Sequence, residues 1–76
     1  MNPNDIANML DGWTRLRVDM YNDDTSDYDT IFDSDDWPGW AGDIQCCVNP
    51  EIDTYELEVE QIGLENDHIV LKCDKM

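Results

Sequence analysis

The chain has 76 residues, 41% of them hydrophobic, with three tryptophans and three tyrosines. That suffices for one small folded domain. It excludes a disordered acidic tail, and it excludes a large catalytic cleft beside a separate core, because a chain this short buries only about 60% of its unfolded surface. Nineteen Asp and Glu against four Lys and Arg leave a formal charge of -15, far beyond the magnitude of about 2–8 that keeps a small domain soluble; such a surface repels nucleic acid and anionic membranes and attracts basic proteins.

The opening Asn2-Pro3, with Asp5 in the first turn, predicts a helix in which Ile6, Met9 and Leu10 share a face. Gly12 is placed to cap it. Residues 13–21 alternate, Leu16, Val18 and Met20 against Arg15, Arg17 and Asp19, and this predicts a strand. The alternative, a helix continuing through Trp13, Leu16 and Met20, has to pass Gly12. Arg15 and Arg17 are expected to relieve repulsion by pairing with neighbouring carboxylates.

From Asp19 to Asp43, both included, there are nine aspartates and no lysine or arginine. Like charges at this density cost folding free energy through self-repulsion, so a partner or ion that favours negative charge is the expected compensation. Tyr28, Ile31 and Phe32 form either one face of a short helix capped by Ser26 or the anchors of a long loop. Residues 36–42, Asp-Trp-Pro-Gly-Trp-Ala-Gly, read as turns, with Trp37 and Trp40 as core plugs or interface anchors.

Residues 44–48 predict a short strand stopped by Asn49-Pro50. Residues 54–62 predict another, with Tyr55, Leu57 and Val59 on one face and Glu56, Glu58 and Glu60 on the other. A five-residue loop, 63–67, then leads to a returning strand over 68–73 with Ile69, Leu71 and Cys73 inward. The expected fold class is α+β: a single domain, 1–76, with an N-terminal helix packed on a curved antiparallel sheet of about four strands.

Few residues suggest catalytic or metal chemistry. An EF-hand loop needs Gly at position six and Glu at twelve; a register from Asp23 puts Tyr28 at six, and one from Asp33 puts Pro38 at six and Ile44 at twelve. Cys46, Cys47, His68 and Cys73 make a poor zinc set, because adjacent cysteines on a strand diverge. They read instead as buried thiols and a rim histidine. With one histidine and no nucleophile–base order, no enzyme activity, cofactor or metal site is expected. An odd cysteine count, no cationic apolar leader and no apolar run near twenty residues predict a cytoplasmic protein.

Residues two apart on a strand lie about 6.8 Å apart on one face, and successive phosphates of a DNA strand are about 7 Å apart. The row Glu56, Glu58, Glu60 therefore has the pitch of a phosphate backbone, although a polar outer face is also what any half-buried strand presents. In size, acidity and α+β pattern the chain resembles the small acidic inhibitors made by phages and other mobile elements, namely anti-CRISPR proteins, anti-restriction proteins and uracil-DNA glycosylase inhibitors. The resemblance is one of class, with no shared motif.

That resemblance implies a nucleic-acid mimic that occludes the basic DNA- or RNA-binding surface of a host defence or nucleic-acid enzyme. An anti-CRISPR protein acting on a guide-RNA effector complex in the host cytoplasm is the foremost case. It implies no direct nucleic-acid contact, no membrane partner, and a monomer or small homo-oligomer. The expected contact residues are Asp23, Asp24, Asp27, Asp29, Asp33, Asp35, Asp36, Trp37, Trp40, Glu56, Glu58 and Glu60. An acidic immunity protein for a basic nuclease toxin rests on the same physics. A halophilic protein of ordinary function fits less well, since nine of fourteen aspartates crowd into one third of the chain.

Overall fold

Asn2 and Asp5 cap the first helix reciprocally. The Asp5 amide donates to Asn2 Oδ1 at 3.1 Å and the Asn2 amide to Asp5 Oδ2 at 3.2 Å. In this computed structural model, which describes residues 1–40 and 42–76, helix α1 runs only over Pro3–Ala7. Leu10 lies past its end and still packs on the core, while Met9 is 69% exposed. Gly12 does not cap the helix. It lies where any Cβ would collide with the Trp40 carbonyl, so its role is close backbone approach. Ala41, in the expected turn segment, lies outside the described residues.

Four strands follow: β1 (Leu16–Asn22), β2 (Asp27–Asp33), β3 (Leu57–Glu65) and β4 (His68–Lys75). They form one sheet in the order β2-β1-β4-β3. The outer pairs, β1 with β2 and β3 with β4, are antiparallel, but the central pair β1–β4 is parallel. The expected antiparallel sheet is therefore corrected to a mixed one that is not plainly curved. The reason is topological: the long segment 34–56 carries the chain from β2 at one edge to β3 at the other, so the two hairpins meet through β1 and β4 running parallel, a pairing that a tight turn cannot supply.

The segment of Tyr28, Ile31 and Phe32 is neither helix nor loop but strand β2. A β-bulge hid its period. The register passes from Val18↔Phe32 to Asp19↔Thr30, leaving Ile31 as the extra residue, so Ile31 and Phe32 both pack on the core. Residues 44–48 are not a strand either. Gln45–Cys47 is a 3-10 turn, held where Gln45 Nε2 donates to the Ile52 carbonyl at 2.7 Å and Gln45 Oε1 accepts from the Thr54 amide at 2.7 Å. Ile44 and Val48 flank that turn and are buried. The expected 54–62 strand starts late, because Asp53 caps a 3-10 turn over Thr54–Glu56. The β3–β4 loop shrinks to Asn66 and Asp67, at φ 50° and 64°, the left-handed pair that a tight hairpin favours.

One sheet face carries Leu16, Val18, Phe32, Leu57, Leu71 and Cys73. It is covered by Ile6 and Ala7 of α1 and by Trp40, Ile44 and Val48 of the segment 34–56. Asn4 ties these two covers together: its Nδ2 donates to Thr54 Oγ1 at 2.7 Å, and its Oδ1 accepts from the Ile44 amide at 3.1 Å. Strand alternation and register put Arg17, Asp19, Tyr21, Tyr28, Thr30, Asp33, Lys72 and Asp74 on the other face. Among the described residues, no helix is long and apolar enough to cross a membrane.

Asn4 is 1% exposed, so Asn4→Ala leaves the Ile44 amide without its acceptor and removes one of the two bonds of the Thr54 hydroxyl, which keeps Gln45 Oε1 at 2.8 Å. Urea unfolding is expected to show a loss of about 1–3 kcal/mol, with unchanged m-value.

Candidate functional site

The acidic run divides into a free part and a tied part. Asp23 and Asp24 sit in the β1–β2 turn, and Asp27 and Asp29 lie on β2, an edge strand. All four are exposed, and among the described residues none forms an ion pair. Asn22 shapes the turn: its Oδ1 accepts from the Asp24 amide at 2.9 Å and its Nδ2 donates to Asp29 Oδ2 at 2.8 Å. Asp36, in the 3-10 turn Ser34–Asp36, is also exposed.

Asp33 and Asp35 belong instead to a network at one end of the open sheet face. The Asp33 carboxylate caps the 3-10 turn, accepting from the Asp35 amide at 2.9 Å. Arg15 Nη2 lies 3.4 Å from Asp35 Oδ2. His68, buried at the start of β4, has Nδ1 2.9 Å from the Asn66 carbonyl, and its Nε2 lies 3.2 Å from Asp35 Oδ2 and 3.5 Å from Asp33 Oδ1. The Arg15 guanidinium, and after it His68, hold the Asp35 carboxyl below its ordinary range.

Beside them Arg17 grips Asp19 with two nitrogens, Nε to Oδ1 at 3.1 Å and Nη2 to Oδ2 at 3.0 Å, and reaches Glu65 at 3.2 Å. Thr30 Oγ1 donates to the same Asp19 carboxylate at 2.8 Å. Asp19 is 5% exposed, so this fork is what makes its burial tolerable. Hydrogen bonding to Asp19 raises the Arg17 pKa above its already high value. The expectation that Arg15 and Arg17 pair with carboxylates agrees with these contacts.

Four expected contact positions, Trp40, Glu56, Glu58 and Glu60, sit differently from the expectation. Trp40 is 7% exposed, packs edge-on against Phe32 at 5.6 Å between centroids and donates its indole N–H to the Thr14 carbonyl at 3.2 Å. It is a core plug, and burial removes it from any contact set. Trp37, 45% exposed, remains at the surface. The Glu56, Glu58, Glu60 row is not an even ladder. Glu56 lies in a 3-10 turn, Glu58 binds the terminal ammonium of Met1 at 2.9 Å, and a bulge between Val59 and Gln61 takes Glu60 out of register.

Sequence reasoning missed Trp13, which is 79% exposed. Its ring lies against Gly39, and only its place before β1, rather than within it, marks it as a surface aromatic. It also missed the meeting of Asp33, Asp35 and His68, residues far apart in the chain.

The thiols do not converge with the histidine. Cys73 faces the core, on the opposite side of β4 from His68 by strand parity. Cys46 is exposed and Cys47 partly buried, with their sulfurs 3.6 Å apart. Burial pushes Cys73 up to about 12, and burial followed by the contact with Cys46 pushes Cys47 up to about 11.

Compared with known proteins, the chain matches no family model, no curated protein and no solved structure. The functional reading therefore rests on the geometry alone.

Two outcomes follow. Arg17→Ala leaves Asp19 buried without its cation and is expected to cost about 3 kcal/mol in chemical denaturation, whereas Arg15→Ala, at a half-exposed pair, costs under about 1 kcal/mol. Iodoacetamide at pH 8 is expected to alkylate Cys46 first and to reach Cys73 only when the protein unfolds, as peptide mapping by mass spectrometry would show.

Proposed function

We propose that this protein is an inhibitor that mimics nucleic acid and occludes the basic DNA- or RNA-binding surface of another protein. The observation that carries this reading is the free part of the acidic run: Asp23, Asp24, Asp27 and Asp29 line a hairpin tip and an open sheet edge with no ion-paired cation among the described residues. Asp27 and Asp29, two apart on an edge strand, are spaced by about 6.7 Å, close to the pitch of a phosphate backbone. Trp37, beside Asp36, extends the same acidic segment with a half-exposed aromatic side chain, a residue type enriched at interfaces.

A strongly negative surface steers a basic groove toward it and raises the association rate. Once bound, it competes with DNA for the same lysines and arginines. The narrower assignment is an anti-CRISPR protein that fills the target-DNA channel of a guide-RNA effector complex. It rests on size, charge and fold class together. The proposed mechanism is occlusion.

The test is loading of target DNA onto purified guide-RNA effector complexes, followed by gel shift with and without the protein. Wild type is expected to block loading. The fourfold variant Asp23→Asn, Asp24→Asn, Asp27→Asn, Asp29→Asn keeps the side-chain shapes and is expected to lose at least tenfold in inhibition while unfolding at the same or a higher urea concentration, since it relieves self-repulsion. Equal inhibition by the fourfold variant would remove the interface from this edge. No inhibition of any effector by wild type would remove the anti-CRISPR assignment.

A further inference from the structure

His68 has an unusual pair of neighbours. Its Nδ1 faces a backbone carbonyl, Asn66 O at 2.9 Å, which only accepts, and its Nε2 faces the carboxylates of Asp33 and Asp35 at 3.5 and 3.2 Å. Ionised carboxylates also only accept. A neutral imidazole has one donor and satisfies one side; an imidazolium, or a neutral ring with a metal ion on Nε2, satisfies both. The His68 side chain is only 9% exposed, so these neighbours and not bulk water meet its nitrogens.

We propose that Asp33, Asp35 and His68 form a binding site for a divalent first-row cation of the zinc type. One oxygen from each carboxylate and His68 Nε2 lie within 4.8 Å of one another. Metal–ligand bonds of about 2.0–2.2 Å in a tetrahedron place neighbouring donor atoms about 3.3–3.6 Å apart, and the two Nε2–oxygen separations, 3.2 and 3.5 Å, lie close to that spacing.

The supporting contacts have the form that metal sites use. A ligating histidine ordinarily donates its other ring N–H to a carbonyl, which fixes ring and tautomer, and the Asn66 carbonyl is in that place. Asp33 is held by accepting from the Asp35 amide at 2.9 Å. A single proton on Nε2 needs one carboxylate; two carboxylates converging on one nitrogen suit a cation with several coordination positions. Three protein ligands leave at least one position for water or for a donor from a partner. The one competitor is Arg15, 3.4 Å from Asp35 and half exposed, which is free to turn toward solvent.

The site stands apart from the nucleic-acid-mimic reading, since its test involves no partner. Zinc chloride is titrated into metal-free protein carrying Cys46→Ser and Cys47→Ser, so that the adjacent thiols cannot compete. Binding is read by calorimetry, and the imidazole nitrogens of His68 by 15N NMR. The expected result is one ion per chain, a His68 Nε2 resonance moved to the metal-bound position, and Nδ1 still protonated. Asp33→Asn and His68→Gln are expected to weaken binding at least tenfold, Asp27→Asn to leave it unchanged, and Arg15→Gln to tighten it. Two results overturn the proposal: an Nε2 that titrates with protons but does not respond to one equivalent of zinc, or zinc affinity equally affected by Asp33→Asn and Asp27→Asn.

Discussion

The placement of four positive charges organises this molecule. Arg17 lies on β1, Arg15 immediately before it, and Lys72 and Lys75 on β4, so every Lys and Arg lies on, or directly beside the start of, the two central strands. The edge strands β2 and β3 carry aspartate and glutamate with no cation. In the order β2-β1-β4-β3 each acidic edge borders a cation-bearing strand and never the other acidic edge. Any arrangement that set β2 beside β3 would oppose like charges across a ladder, where they are directly destabilising. The cross-strand neighbours Arg17↔Asp33 and Asp19↔Lys72 show the pattern residue by residue.

That arrangement also determines what the surface can offer. Cations at the centre are consumed by nearby groups: Arg17 by Asp19 and Glu65, Arg15 by Asp35, and Lys72 by the face of Tyr28 at 5.3 Å. The carboxylates beyond their reach, at the β1–β2 tip and along β2, keep their full field. Charge alone does not make an interface, but it makes this edge the part of the molecule that a basic surface meets first. The exposed carboxylates and the bulge also protect an edge strand from pairing with another copy, a hazard that open sheets otherwise carry. The apolar side chains of Ile62 and Leu64, 64% and 79% exposed on the opposite edge, lie in the stretch that follows the β3 bulge.

The sequence displayed some of this and concealed the rest for identifiable reasons. The alternation of Leu16, Val18 and Met20, and that of Ile69, Leu71 and Cys73, marked β1 and β4 because each strand buries one face regularly. β2 was obscured twice, by aspartates with low strand propensity and by the bulge that turns Ile31 and Phe32 inward together. Residues 44–48 looked like a strand because Ile44 and Val48 are indeed buried, yet the Gln45 amide holds the backbone between them in a turn. Gly12 was legible as a constraint but not as the right one; the Trp40 carbonyl it accommodates is distant in sequence. The same limit applied to the site. Nothing in the local pattern around His68 announces Asp33 and Asp35, because they meet only when β1 and β4 pair in parallel, and nothing local announces that pairing.

The parallel central pair has a kinetic consequence. β1–β2 and β3–β4 are local hairpins, units that form in about 1–10 μs, whereas Leu16 meets Ile69 only after the long intervening chain has been brought round. Pairing β1 with β4 closes that long loop, and contacts so far apart in sequence slow folding. Both hairpins carry net negative charge, so they approach against a long-range barrier. Added salt shortens the Debye length from about 30 Å at 0.01 M to about 8 Å at 0.15 M, and so screens that repulsion.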